Sequence, residues 1–138
     1  MNLLYDFLDR NQKRFVFLTL KLYWALIFIL TTLPGHTLPK NLKLSDKVEH
    51  MLAYFGLAFL LAFALHFKNK QIKLSKIFLY VILITTAYAG FDELHQMLIP
   101  FRSAEWLDFL ADIIGSIIGA TTVLYFIYFV RKNDWQNS

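Results

Sequence analysis

Cysteine is absent from the 138 residues. That excludes disulfide staples, thiolate metal sites and cysteine nucleophiles, and leaves any metal site to histidine and carboxylates. Charge is scarce as well: 17% of residues are charged, 57% are hydrophobic, and the mean hydropathy is +0.47. A soluble domain of this length does not carry that balance, so the solvent implied is a bilayer. No low-complexity tract, fixed-period repeat or lipidation motif stands out. The first apolar run, residues 15–33, exceeds the usual h-region of a signal peptide and is followed by no small-residue cleavage motif, so it is read as a retained helix.

Four predominantly apolar stretches approach the ~20 residues a helix needs to cross a ~30 Å hydrocarbon core, at 15–33, 48–67, 77–96 and 111–130. Lys21, near the basic end of the first, can snorkel toward that end, and Pro34-Gly35 stops the helix. The connections 34–47, 68–76 and 98–104 are short, which predicts an all-α integral membrane domain of four transmembrane helices in an antiparallel bundle. The expected organisation is a cytoplasmic N-terminal segment 1–14, the four-helix domain 15–130 and a cytoplasmic tail 131–138. With four spans, Arg10, Lys13, Arg14, Lys68, Lys70, Lys73, Lys76, Arg131 and Lys132 fall on one side. Lys40, Lys43, Lys47 and Arg102 fall on the other. The positive-inside rule then puts both termini and the second connection in the cytoplasm, and the first and third connections outside the plasma membrane. These flanking tracts account for the formal charge of +4, and no nucleic-acid partner is expected.

Acidic residues follow a different rule. Of ten, Asp46, Glu49, Asp92, Glu93, Glu105, Asp108 and Asp112 lie on the half opposite the basic tracts. At ~100° per residue, Asp46, His50 and Tyr54 form one stripe of the second helix. Tyr88, Asp92, His95 and Gln96 share a face of the third, with Glu93 turned to its side. On the fourth, Asp108 and Asp112 line up with Gly115 and Gly119. The spacing Gly115-x-x-x-Gly119 marks close helix approach in membranes, so the carboxylates on that stripe should point inward and line a polar pocket. Acidic side chains at membrane depth cost roughly 2.5–3.5 kcal/mol each at the helix centre on insertion scales, and persist by pairing or by lining a wet cavity. The glycines serve packing within the chain, with oligomerisation as the alternative.

Three blocks carry a family resemblance: Asp46-Lys47-x-x-His50-x-x-x-Tyr54, then Asp92-Glu93-x-His95-Gln96, then Arg102 followed by Asp108-x-x-x-Asp112-x-x-Gly115-x-x-x-Gly119. In this order they resemble the VanZ-like family, named for a protein associated with teicoplanin resistance. The family pattern usually has Asn where this chain has Asp112. The resemblance implies a multi-pass membrane protein of the cell envelope linked to glycopeptide resistance, and no settled mechanism.

The residues themselves fit several uses. A hydrolase or transferase acting on a lipid or lipid-linked envelope precursor would take His50 as base, Asp92 or Glu93 as acid, and Asp108 and Asp112 as further catalytic carboxylates. Lys47 and Arg102 would hold an anionic group, with Asp46, Tyr54, His95 and Gln96 completing the substrate contacts. No cofactor is required, but a divalent metal is an option for His50, Asp92, His95, Asp108 and Asp112. A non-catalytic element that binds or transports a lipid or antibiotic is the second use, and a purely structural polar network the third. Tyr23, Trp24, Trp106 and Tyr128 are expected as interfacial anchors, and His36 and His66 as solvated or interfacial side chains. Ser116 is expected to serve helix packing, Ser103 has no nucleophile context, and the fourteen Phe serve lipid contact and packing.

Overall fold

A computed structural model describes Leu3, Phe7, residues 14–34 and residues 46–136, with side chains described as far as residue 133. Among the described residues it is all-helical: α1 (Val16–Thr32), α2 (Asp46–Lys68), α3 (Leu74–Gln96) and α4 (Trp106–Gln136). At ~1.5 Å per residue, the 23 residues of α2 and of α3 reach about 34 Å and the 31 of α4 about 46 Å. These three helices are long and apolar enough to cross a membrane, whereas α1, at 17 residues, is shorter. His36, Lys40 and Lys43 lie outside the described residues.

The centre of the packing is α2, which touches each of the other three helices and α4 most extensively. Its small and apolar residues explain this: Leu57, Ala58, Leu61, Ala62 and Ala64 are buried together with Ala120, Val123 and Ile127 of α4. The outer faces of the remaining helices expose Leu22, Leu26 and Ile29 on α1, Leu79 and Leu83 on α3, and Ile114, Ile118 and Phe129 on α4. Exposed apolar faces of this extent suit lipid rather than water as the surrounding solvent.

Paired positions fix the register. Along α2 and α4, His50 meets Asp112, Met51 meets Gly115, Phe55 meets Gly119 and Phe63 meets Phe126. Tyr23 of α1 reaches Ala53, while Trp24 and Phe28 reach Tyr88 and His95 of α3. The first helix stops where Leu33 turns extended ahead of Pro34. Between α3 and α4 the chain turns through Phe101, whose φ of 62° is left-handed.

The fourth helix starts at Trp106, ahead of the apolar stretch 111–130, and so takes in Asp108 as the Asp108–Asp112 stripe requires, with the Glu105 carbonyl accepting from the Asp108 and Phe109 N–H groups. Two expectations are corrected. Tyr23 and Trp24 are packed between helices instead of anchoring an interface: Tyr23 OH donates to the Ala53 carbonyl at 3.1 Å, and Trp24 meets Tyr88 edge-on at 5.2 Å. His66 is fully buried rather than solvated or interfacial, its Nδ1 lying 3.4 Å from Arg131 Nη2, because α4 continues past it.

Candidate functional site

Two glycines create the geometry of the polar end. A Cβ on Gly115 would fall on the Met51 carbonyl oxygen, and one on Gly119 on the Phe55 carbonyl oxygen. Backbone therefore meets backbone where α2 and α4 cross. That approach brings the residues just before each contact, His50 and Asp112, within a 3.0 Å hydrogen bond from His50 Nδ1 to Asp112 Oδ1. With Asp112 ionised the donor is Nδ1–H, since a carboxylate can only accept. The Asp112 side chain is 0% exposed and His50 is 9% exposed, so the bond is shielded from screening by solvent.

Around this pair the other carboxylates divide by partner. Lys47 Nζ donates to Glu105 Oε2 at 2.9 Å and to Asp108 Oδ1 at 3.0 Å, an exposed-to-buried bridge that fixes the start of α4 against α2. Glu93 Oε2 accepts the Glu105 backbone N–H at 2.9 Å, so α3 also holds the start of α4. Asp92 is fully buried; Gln96 Nε2 donates to its Oδ2 at 3.4 Å, and Thr31 of α1 faces its carboxyl group. Gln96 Oε1 in turn accepts from Arg102 Nη1 at 3.3 Å. The remaining Arg102 donors reach the Leu33 carbonyl at 3.2 Å and the Leu30 carbonyl at 3.0 Å. The guanidinium fork thus caps the end of α1, adding a donor at the Leu33 carbonyl and a second donor at the Leu30 carbonyl, which already accepts the Leu33 N–H at 3.3 Å.

Some buried polar atoms find no partner in the protein. They include Asp112 Oδ2, Glu93 Oε1, Tyr54 OH and Ser116 Oγ. Tyr54, 1% exposed, stacks on Tyr88 at 6.0 Å and lies close enough to the Asp92, Glu93 and Asp112 carboxylates to feel their charge. Among the described residues, two groups of side chains offer one ligand atom each within 4.8 Å of one another: His50, Glu93 and Asp112, all buried, and Asp46, His50 and Asp108, of which Asp46 is exposed.

Most of the residues expected from sequence therefore converge on one end of α2, α3 and α4, with three departures in detail. Glu93, expected at the side of its face, is aimed at His50 and Asp112. His95, expected on the shared face, is turned toward α1 and stacks on both Phe28 (5.3 Å) and Phe91 (5.9 Å). Lys47 and Arg102, expected to hold an anion, are engaged by protein carboxylates and carbonyls. Thr31, and the backbone of Glu105, join the network without having been singled out. Thr31 carries no sequence signal, because its role follows from how α1 lies against α3. A half-open apolar cavity of about 320 Å³ lies away from this cluster, toward the other end of α2, between Val16, Thr19, Phe59, Phe63, Thr122 and Phe126.

The arrangement can do two things chemically. It can pass a proton among a buried imidazole and its neighbouring carboxylates, and it can hold a cationic or donor-rich group against carboxylate oxygens that have no donor of their own. Among known proteins, the VanZ/LLP1 family model matches residues 5–130. No curated protein and no solved structure matches the chain.

Proposed function

Because the chain belongs to the VanZ/LLP1 family, and three of its helices are long and apolar enough to cross a membrane, we propose that its polar end is a working site. The site faces the outside of the plasma membrane and engages the head group of a lipid or lipid-linked envelope component. In this reading α1 is a fourth span, the helices alternate in direction, and both termini are cytoplasmic. The pairings of α2 with α4 at rising numbers on both support that alternation, as does α1 against α2, where Tyr23 meets Ala53 while the earlier Val16 shares a cavity with the later Phe59 and Phe63. The distribution of basic residues supports the orientation. The natural absence of cysteine makes the orientation directly testable. A Ser103→Cys variant should react with a membrane-impermeant maleimide in intact cells and a Gln71→Cys variant only after lysis; the reverse pattern would invert the topology.

One observation carries the functional reading: the buried His50–Asp112 pair sits beside carboxylate oxygens of Glu93 and Asp112 that no protein donor reaches. Helices can be joined more cheaply with apolar side chains or with a fully paired polar network. A ligand that supplies donors or positive charge completes the site. The cluster then offers His50, Asp92 and Glu93 for proton transfer, Asp108 and Asp112 to hold charge, and Asp46, Lys47, Tyr54, His95, Gln96 and Arg102 to shape and support the head-group contacts. Turnover of the bound component, as a hydrolase or transferase, is the activity expected, and a link to glycopeptide resistance would run through it.

Purified protein incubated with envelope lipid extract should retain a lipid or lipid-linked species identifiable by mass spectrometry and convert it over time. Glu93→Gln should lower conversion by at least ~100-fold, the scale of removing a proton-transfer group, and Asp112→Asn should lower it by a similar factor through loss of the charge that orients His50, both while leaving helicity and monodispersity in place. Binding without conversion would reduce the reading to a non-catalytic receptor. Unchanged binding and conversion in both variants would leave the cluster as a structural network.

A further inference from the structure

The triad His50, Glu93 and Asp112 brings one imidazole nitrogen and two carboxylate oxygens, from three different helices, within 4.8 Å of one another in a buried position. Ligand atoms around a four-coordinate ion with ~2.1 Å bonds stand about 3.4 Å apart, so small inward rotations bring this set to coordination distance. His50 Nδ1–H donates to Asp112 Oδ1 at 3.0 Å, so an ion bound between them takes the place of that proton, which leaves to solvent, and proton transfer then falls to Asp92 rather than His50. A second feature is independent of the spacing. Asp112 is 0% exposed and Glu93 8% exposed, yet Asp112 Oδ2 and Glu93 Oε1 accept no hydrogen bond from the protein. Two buried carboxylates from different helices, each with an oxygen lacking a donor, repel one another unless a cation or protons lie between them.

We propose that His50, Glu93 and Asp112 form a site for a divalent transition-metal ion of borderline hardness, Zn²⁺ or Mn²⁺. The donor set decides the class: one imidazole with two carboxylates suits Zn²⁺ and Mn²⁺, and the imidazole disfavours Mg²⁺ and Ca²⁺, which prefer all-oxygen shells. The neighbouring group of Asp46, His50 and Asp108 is the poorer site. Asp108 there is already paired with Lys47 at 3.0 Å, and Asp46 is exposed. His50 belongs to both groups, so an ion on the inner triad takes the imidazole from the outer one. The proposal rests on the polar end being the working site in one respect. A bound ion gives a cluster rich in carboxylates the positive charge needed to hold an anionic head group, while Lys47 and Arg102 stay in their protein contacts.

The test uses the full chain in detergent, stripped with chelator and desalted, then titrated with Zn²⁺, Mn²⁺ or Mg²⁺ alone. Elemental analysis should find one Zn²⁺ or Mn²⁺ per chain after dialysis, and Mg²⁺ should not compete at equal concentration. The unfolding temperature of the stripped wild-type protein should rise with ion concentration, as binding to the folded state requires; this measurement needs no variant. His50→Gln, Glu93→Gln and Asp112→Asn should each weaken binding by ~100-fold or more, at or above the loss seen when supporting partners of metal ligands are removed. Asp46→Asn should leave ion affinity in place. A substoichiometric ion, an unfolding temperature that ignores it, or loss through Asp46→Asn rather than the triad variants would each overturn the assignment. Lipid conversion by a stripped protein that also fails to take up one ion per chain would sink the ion and leave the lipid reading standing. Stoichiometric ion binding without any lipid engagement would support the ion and sink the lipid reading.

Discussion

Alanine at Gly115 is expected to destabilise the protein by about 2–3 kcal/mol, and valine there to prevent a folded, monodisperse preparation altogether. Inserting atoms into a packed interior costs about 1–3 kcal/mol when side chains can adjust. Here the added Cβ would land on the Met51 carbonyl, which is helix backbone and can yield only if α2 and α4 separate. Separation breaks more than packing. The His50–Asp112 bond and the Lys47 bridge to Asp108 both span that contact, so a shift of about one ångström also exposes a buried carboxylate to loss of its partner. Gly119→Ala should behave similarly, because its Cβ meets the Phe55 carbonyl. Gly56→Ala should fall between, since its Cβ would meet the ring of Tyr23, a side chain that can swing away at the cost of its bond to Ala53. Gly90 supplies the control. A Cβ there meets only Phe109 Cε2, at an ordinary 3.8 Å, and alanine is favoured over glycine in a helix interior by up to ~1 kcal/mol. Thermal unfolding in one detergent should rank the alanine variants Gly90, Gly56, then Gly119 and Gly115, from most to least stable. A Gly115→Ala protein as stable as Gly90→Ala would show that the two helices do not depend on backbone contact.

That ranking also marks what the sequence could and could not disclose. The coincidence of Gly115 and Gly119 with Asp108 and Asp112 on one stripe is arithmetic on a single helix, and all four are buried on one face of α4. Periodicity within a helix is local, so it survives into the fold unchanged. Which face of α3 meets that stripe is not local. Glu93 and His95 differ by only two residues, and the choice between them depends on how α3 is rotated against α2 and α4. That rotation is set by the packing of Val81, Thr85, Ala89 and Asp92, which are buried on one side. Arg102 illustrates a second limit. Its charge was legible, but its partners are the last carbonyls of α1, about seventy positions away in sequence. Main-chain acceptors leave no residue signature, so no pattern of side chains could have named them.

Replacing His50 with Leu and Asp112 with Val together is expected to leave the protein about as heat-stable as the wild type, or more so, whereas either change alone should cost about 3 kcal/mol. Each single variant strands the other partner. His50→Leu leaves Asp112, whose Oδ2 already lacks a donor, with neither oxygen bonded at 0% exposure. Asp112→Val leaves a buried imidazole whose Nδ1 has lost its acceptor. Breaking a buried pair from one side costs about 3–5 kcal/mol, while exchanging the whole pair for apolar groups of similar volume is often neutral or stabilising by about 1–4 kcal/mol. Removing Asp112 also takes one carboxylate away from Glu93. The four unfolding midpoints close a double-mutant cycle, and the coupling should amount to several kcal/mol. The same double variant should bind no divalent ion and convert no lipid. A protein that gains or keeps stability while losing both activities holds this pair for its chemistry. If the double variant unfolds at a lower temperature than either single one, the pair's main role is to hold α2 against α4.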